Sequence, residues 1–157
     1  MNENEIRNIV KNTVARLRAK KEVTLENARL LSAAVMKEAE RMGVKAVVCV
    51  SDAAGHPRLV ESMDDAYIAS YDVAVNKAFT VVALKMSTKK LSKLAQPGAE
   101  LYGIQFTNGG KIVIFGGGEP LVSDKGEIIG GLGVSGGSEA QDTALAEFGK
   151  RFFESKI

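Results

Sequence analysis

The first seventeen residues have the apolar spacing of an amphipathic helix that is too short to be stable alone. The apolar residues recur every three or four positions and share one helical stripe: Ile6, Ile9, Val10, Thr13, Val14 and Leu17. Glu3 and Glu5 fall in the predicted first turn and Lys11 falls later, an order that suits the helix dipole. Nucleating a short isolated helix costs more free energy than its few backbone hydrogen bonds return. The stripe therefore needs a partner surface, on this protein or on another one.

A charged stretch separates this helix from the remainder of the chain. We assign an amphipathic docking helix to 1–19, a linker to 20–23 and one domain to 24–157. Thr24 is a plausible N-cap, so the helical pattern begins afresh there. A chain of 157 residues is long enough to bury one hydrophobic core.

Composition excludes several classes of protein. The net charge is only +2 and acidic residues alternate with basic ones, which does not favour nucleic-acid binding. No apolar run is long enough to span a membrane, and no secretory signal is recognisable. The single cysteine, Cys49, predicts a core side chain in a reducing compartment such as the cytoplasm.

The order of hydrophobic periods predicts an α+β fold. Helical patterns cover 24–42 and 66–85, a short helix follows Ser87, and a capping box at Ser138 opens a last helix. Strand patterns cover 44–50, 58–61, 103–107, 111–115 and 127–134. Asn108-Gly109 is a strong hairpin signal because both residues tolerate positive φ. We expect an antiparallel sheet of about five strands covered by helices, in which this hairpin neighbours the glycine-rich last strand.

The residues that could carry chemistry are few. Residues 131–136 match the dinucleotide fingerprint, but the second strand that this motif requires is missing, which leaves only anion binding at the start of the last helix. His56 is the only histidine, so neither a catalytic triad nor a histidine metal cluster can form, although one axial ligand can. Lys77 on an apolar face favours a structural ion pair or a snorkelling side chain. Asp64 and Asp65 precede a helix, where capping explains them as well as acid–base chemistry.

Six segments resemble the GlcG/HbpS family, which includes the C-terminal domain of PduO-type proteins. They are VSDAAG at 50–55, SMDDA at 62–66, NKAFT at 76–80, QPGAELYG at 96–103, FGGGEPL at 115–121 and IGGLGVSGGS at 129–138. The resemblance implies a profilin-like domain that assembles into homo-oligomers. It also implies a tetrapyrrole ligand, with haem preferred over a corrinoid. The helix over 24–42 contains no histidine, so an axial ligand cannot come from it.

This resemblance implies a set of cofactor-binding residues. Glycines let the backbone approach a ligand or a neighbouring subunit closely. The cofactor-binding candidates are His56, Lys77, Gly116, Gly117, Gly118, Gly136 and Gly137. We predict no catalytic constellation and no metal cluster.

The N-terminal segment resembles the encapsulation peptides of enzymes packed inside bacterial microcompartments. Such peptides are short amphipathic helices, followed by a linker, that bind shell proteins. The resemblance implies shell docking through Ile6, Ile9, Val10, Val14 and Leu17, and a place in the microcompartment lumen. Alternatively, the helix packs on its own domain.

Two functions follow from the sequence. The first is a non-catalytic accessory protein that binds haem or a corrinoid in a microcompartment pathway for diols or related small molecules. The second is an enzyme that acts on a small oxygenated metabolite or assists cobalamin reduction and recycling, with Lys77, Asp64 and Asp65 as candidate residues.

Overall fold

The computed structural model describes residues 1–19 and 22–157, with side chains described for 1–14 and 22–157. The helices are α1 (Glu3–Ala19), α2 (Leu25–Arg41), α3 (Ile68–Ala83), α4 (Thr88–Leu94) and α5 (Glu139–Lys156). The strands are β1 (Val47–Asp52), β2 (Pro57–Ser62), β3 (Gly118–Val122) and β4 (Ile128–Ser135). Two short 3-10 turns, Ile104–Phe106 and Asn108–Gly110, lie between α4 and β3.

The strands form one antiparallel sheet in the order β2-β1-β4-β3. Side chains of β1 alternate between two apolar layers, as the period of a strand requires. Val48 and Val50 pack with α2 and α5, whereas Val47 and Cys49 pack with α3. The α+β fold with helices covering an antiparallel sheet is therefore confirmed, with four strands in the described residues instead of about five.

Side-chain caps fix where three helices begin. Thr24 accepts a hydrogen bond from the Asn27 amide, and Ser87 accepts one from Lys90. Ser138 and Gln141 form the reciprocal capping box that opens α5. All three predicted starts are confirmed, because capping depends on local sequence alone.

The predicted hairpin over 103–115 is wrong. Asn108 and Gly109 do adopt positive φ, but within a 3-10 turn. The Val113 amide donates to the Thr80 hydroxyl on α3 and so makes no strand ladder there. The strand that pairs with β4 on the side away from β1 is instead β3, which begins at Gly118 and contains Pro120. Pro120 lies on an edge strand, where its missing N–H is tolerated.

Helix α1 carries its own N-terminal cap. The Asn2 amide donates to the Glu5 carboxylate at 2.7 Å, and the Glu5 amide donates to the Asn2 side chain at 2.9 Å. The described members of the apolar stripe are all exposed: Ile6, Ile9, Val10 and Val14. The side chain of Leu17 and the linker residues Lys20 and Lys21 lie outside the described residues. Val23, by contrast, is fully buried in the core.

In the described part of the chain, no helix has both the length and the apolar character needed to cross a membrane.

Candidate functional site

A buried ion pair joins α3 to the start of α5. Lys77 on α3 is fully buried, and its Nζ donates to the Val134 carbonyl at 2.8 Å and to Asp142 Oδ2 at 3.2 Å. The same Nζ lies 5.0 Å from the centre of the Phe115 ring. Burial lowers the pKa of Lys77, and the Asp142 carboxylate opposes that change. The structural ion pair favoured by the sequence is therefore present, and snorkelling is not.

Asp142 extends this contact to the glycines that precede α5. Its Oδ1 accepts a hydrogen bond from the Gly137 amide at 2.8 Å, and its Oδ2 accepts one from Gly136 at 3.4 Å. Gly117 lies on the other side of the pair, where a Cβ atom would be 2.5 Å from Lys77 Nζ. The ion pair therefore holds the end of β4, the start of α5 and the loop before β3 together.

The candidate glycines pack closely against the protein itself. A Cβ at Gly116 would lie 2.0 Å from the Thr143 hydroxyl, and one at Gly136 would lie 2.2 Å from the Lys45 carbonyl. A Cβ at Gly118 would lie 2.8 Å from the Thr88 methyl. One at Gly137 would lie 2.7 Å from the Gln141 side-chain oxygen. Gly116 also donates its amide to Glu139, and Gly118 donates to Thr88. Internal packing thus accounts for these glycines, and their contact with a ligand or subunit stays a prediction.

His56 lies at the opposite end of the sheet from Gly136. It belongs to the turn that follows Asp52, which pairs with Gly130 near the start of β4, whereas Gly136 follows the end of β4. Its side chain is 80% exposed, with Nδ1 3.9 Å from an Asp52 carboxylate oxygen. The predicted cofactor residues therefore do not form one site: Lys77 and the glycines cluster together, and His56 stands apart.

A cavity of about 470 Å³ opens at the Gly136 end of the sheet. Three loops form it, and each joins a strand to a helix. These loops and the first turn of α5 contribute Gly43, Val44, Lys45, Asp65, Tyr67, Gly136, Gly137, Ser138 and Gln141. Lys45 and Tyr67 bring an ammonium and a phenol to this cavity, so it can accept a polar or anionic group.

A second cavity of about 360 Å³ lies beside α5. Its lining includes Thr143, and Lys89 and Glu147 bridge part of it with an ion pair of 3.1 Å.

Glu119 on β3, which the sequence did not mark as a candidate, is largely buried near this cavity. Burial raises the pKa of Glu119, an effect that Lys150 opposes.

The capping interpretation of Asp64 and Asp65 is wrong. The N-cap of α3 is Tyr67, which makes no side-chain capping bond, and Asp65 occupies a turn with φ of 65°.

The start of α3 places three large side chains at the surface. Tyr67 is 73% exposed, Ile68 is 97% exposed and Tyr71 is 54% exposed. Sequence reasoning missed them because apolar residues at a helix start are ordinarily assigned to the core.

Cys49 has no features of a reactive thiol. It is buried between the β-sheet and α3, and burial raises its pKa to about 12. The prediction of a core side chain is confirmed. The described residues contain no group of three or more histidine, cysteine or acidic side chains that could hold a metal ion.

Known relatives match most of the chain. The chain is 44% identical over 125 residues to an uncharacterised 15.0 kDa protein encoded between dhaT and dhaS in Citrobacter freundii, covering 80% of this chain and 87% of that protein. It is also 44% identical over 117 residues to the corrinoid adenosyltransferase PduO of Salmonella typhimurium, covering 74% of this chain. That match spans only 34% of PduO, so the chain corresponds to about a third of that enzyme.

A solved haem complex has the same fold. The crystal structure of the PduOC–haem complex superposes with a TM-score of 0.79 at 40% identity, covering 83% of this chain and 94% of that one. The family of haem-degrading HbpS-like proteins matches residues 23–150, which is most of the described domain. The chain therefore belongs to the HbpS-like family.

Proposed function

We propose that this protein binds a tetrapyrrole, haem in preference to a corrinoid, as a non-catalytic accessory protein of a bacterial microcompartment. The observation that carries the proposal is the similarity to the PduOC–haem complex, which extends over 83% of the chain at 40% identity. The family itself is described as haem-degrading. Ligands are often shared between relatives this similar, although fold alone would not support the transfer.

The described residues can supply what a haem group needs. Bound haem requires an axial donor for iron, apolar surface for the macrocycle and cations for its propionates. Exposed donors include His56 and Tyr67, and exposed apolar surface includes Ile68. Lys45 provides a cation beside the larger cavity. When bound, haem would supply iron for ligand binding or redox chemistry, and a donor at one end of the sheet, Tyr67 or His56, would hold it, because the two lie at opposite ends.

An enzymatic role is the alternative, because the relative PduO is named a corrinoid adenosyltransferase. Assistance in cobalamin reduction or recycling would agree with that name. Of its candidate residues, Lys77 is enclosed in the ion pair with Asp142, whereas Asp65 lines the open cavity. The thiol of Cys49 is buried with a raised pKa and Lys77 is held by Asp142, so neither is a free nucleophile, and the binding role is preferred.

Separate titrations with haem and with cobalamin test the ligand class. We expect the purified full chain to give a saturable change in the Soret band with ferric haem and a smaller or no spectral change with cobalamin. A protein that leaves both spectra unchanged would contradict the tetrapyrrole proposal. A change with cobalamin alone, accompanied by its reduction or adenosylation, would favour the enzymatic alternative.

We also propose that the protein is a homo-oligomer in the cytoplasm. Large apolar side chains exposed in the loop between α4 and β3 support this, because Tyr102 and Phe106 have no cover within the described chain. Sedimentation velocity at micromolar concentration should give a species several times heavier than 16.7 kDa. A single species at that mass would refute the assembly.

Helix α1 supports the proposed place in the microcompartment lumen. Its capping box gives the helix a defined start, and the described members of its apolar stripe, Ile6, Ile9, Val10 and Val14, are exposed. Burying five such side chains in a groove on a shell protein contributes about 1.5 kcal/mol or more each, before the costs of association. Several copies in one oligomer would strengthen weak individual docking.

A fluorescent reporter fused to residues 1–20, produced in cells that make shells, tests this docking. We expect the reporter to concentrate in the shells and Ile9→Glu to abolish that concentration, because a carboxylate would enter the apolar stripe. Asn8→Glu is the matched control, since it places the same charge on the opposite face of α1. A diffuse parent reporter, or an Ile9→Glu variant that localises equally well, would contradict the proposal.

A further inference from the structure

Asn108 and Gly109 form the only Asn-Gly pair in the sequence, and both lie in an exposed turn. Asn108 has a φ of 52° and Gly109 a φ of 64°. Two backbone hydrogen bonds hold the turn, from the Gly110 amide to Thr107 at 3.0 Å and from the Lys111 amide to Asn108 at 3.3 Å. The second is longer than a usual N–H···O bond, so the turn is held weakly.

The atoms of this turn are placed for a reaction within the chain. Among the described residues, no hydrogen bond occupies the Gly109 amide, so no acceptor holds its nitrogen. Glycine has no side chain to shield that nitrogen, and a Cβ built there would meet nothing within 4 Å. The Asn108 carboxamide nitrogen donates to the Thr107 hydroxyl at 3.1 Å, which keeps the carboxamide beside the turn. A free amide nitrogen therefore follows directly after an exposed carboxamide carbon.

We propose that Asn108–Gly109 is a site of spontaneous deamidation, which converts Asn108 into isoaspartate and aspartate. The Gly109 nitrogen loses its proton and attacks Asn108 Cγ, and the new C–N bond closes a succinimide ring. The bond from Cγ to Nδ2 breaks, and Nδ2 takes up a proton and leaves as ammonia. Water then opens the ring at either carbonyl, which gives isoaspartate or aspartate. The oxidation state of every atom stays the same, and water is the only other reactant.

Asn76 has the same side chain in a place that prevents this reaction. It lies within α3, and its carboxamide donates to Asp72 at 3.2 Å. The next residue is Lys77, which is fully buried and whose amide belongs to the same helix. Ring closure would have to break the helix there, since the attacking nitrogen must turn toward Cγ. Asn76 is therefore an internal control for Asn108.

The product would change the turn and leave the core intact. Isoaspartate lengthens the main chain by a methylene group and adds a carboxylate, so the net charge of +2 falls by one. Beyond the turn the chain stays attached to α3, because the Val113 amide donates to the Thr80 hydroxyl at 3.0 Å. We therefore expect a more acidic protein that remains folded.

Incubation of the full chain in mildly alkaline buffer tests the proposal. Peptide mapping by mass spectrometry should show deamidation at Asn108 and none at Asn76. A protein isoaspartate methyltransferase should label the Asn108 peptide, because isoaspartate is one of the two products. The rate should rise from mildly acidic to mildly alkaline buffer, since base removes the proton from the attacking nitrogen.

Gly109→Ala and Gly110→Ala are matched variants of this turn. Each would place a Cβ atom in open space at a positive φ, 64° and 78° respectively, so their backbone costs are similar. Only Gly109→Ala puts that atom on the residue that supplies the attacking nitrogen. We expect Gly109→Ala to slow deamidation by about tenfold or more, because the Cβ obstructs the approach to Asn108 Cγ. Gly110→Ala should keep a rate close to that of the parent.

Three results would overturn the proposal. The first is an unmodified Asn108 in the folded chain under conditions that modify the urea-unfolded chain, which would show that the turn protects it. The second is equal modification at Asn108 and Asn76. The third is an equal rate in Gly109→Ala and Gly110→Ala, which would exclude attack by the Gly109 nitrogen as the step that the turn controls.

Discussion

Asp142→Asn should destabilise the folded protein by about 3–5 kcal/mol, because it leaves the Lys77 ammonium buried without a counter-charge. The Lys77 side chain is 0% exposed, so water cannot replace the lost carboxylate. The remaining acceptors would be the Val134 carbonyl, which is 2.8 Å from Nζ, and the uncharged amide oxygen that replaces the carboxylate. Urea unfolding of the variant and the parent, with equal m-values, measures the difference.

Lys77→Met should cost less than Asp142→Asn. The carboxylate of Asp142 would keep its hydrogen bonds from the Gly136 and Gly137 amides, in the favourable field at the start of α5. Methionine also fills much of the volume that the lysine stem occupies. The same unfolding measurement therefore compares the stability lost when the buried Lys77 cation has no partner with that lost when the Asp142 anion has none.

The double variant Lys77→Met/Asp142→Asn is the control for coupling. If the two groups act as one pair, the double variant should be more stable than the sum of the two single losses predicts. Additive losses would contradict the pair and indicate that each side chain acts through separate contacts. Asp142→Asn that unfolds at the same urea concentration as the parent would contradict the whole account.

The sequence predicted the helix starts correctly, because capping depends only on residues within the first helical turn. Thr24 and Ser138 begin their helices because their hydroxyls lie within reach of the next turn's amides. The position of Lys77 on an apolar face predicted either a structural ion pair or a snorkelling side chain, and its full burial beside Asp142 decides for the ion pair. Its partner could not be named from the sequence, because Asp142 lies 65 positions further along the chain.

Tertiary contacts decided the regions that the sequence did not predict. Asn108-Gly109 has the conformational freedom of a hairpin turn, but the Thr80 hydroxyl on α3 takes the Val113 amide and prevents a ladder. Strand β3 was missed because Gly118 and Pro120 have low strand propensity, which its position at the sheet edge overrides. The exposure of Tyr67, Ile68 and Tyr71 also depends on packing, since nothing in residues 67–71 distinguishes an outward tyrosine from a buried one.

The second large effect on stability that we expect comes from the close packing of α3 on β4. A Cβ atom at Gly133 would lie 2.0 Å from the Ala74 carbonyl oxygen and 2.8 Å from the Ala78 nitrogen. Both are backbone atoms of α3, so rotation of a side chain cannot relieve the overlap. Gly133→Ala would therefore have to displace the helix from the sheet.

We expect Gly133→Ala to lower the free energy of unfolding by about 3 kcal/mol or more, as overpacking against backbone requires. Gly126→Ala is the control, because its Cβ would meet nothing within 4 Å and its cost comes only from a φ of +78°. That conformational cost is about 1–2 kcal/mol for a residue with a side chain. Urea unfolding should rank the parent, Gly126→Ala and Gly133→Ala in order of falling stability. If Gly133→Ala is as stable as Gly126→Ala, then α3 does not pack on β4 as closely as this structure places it.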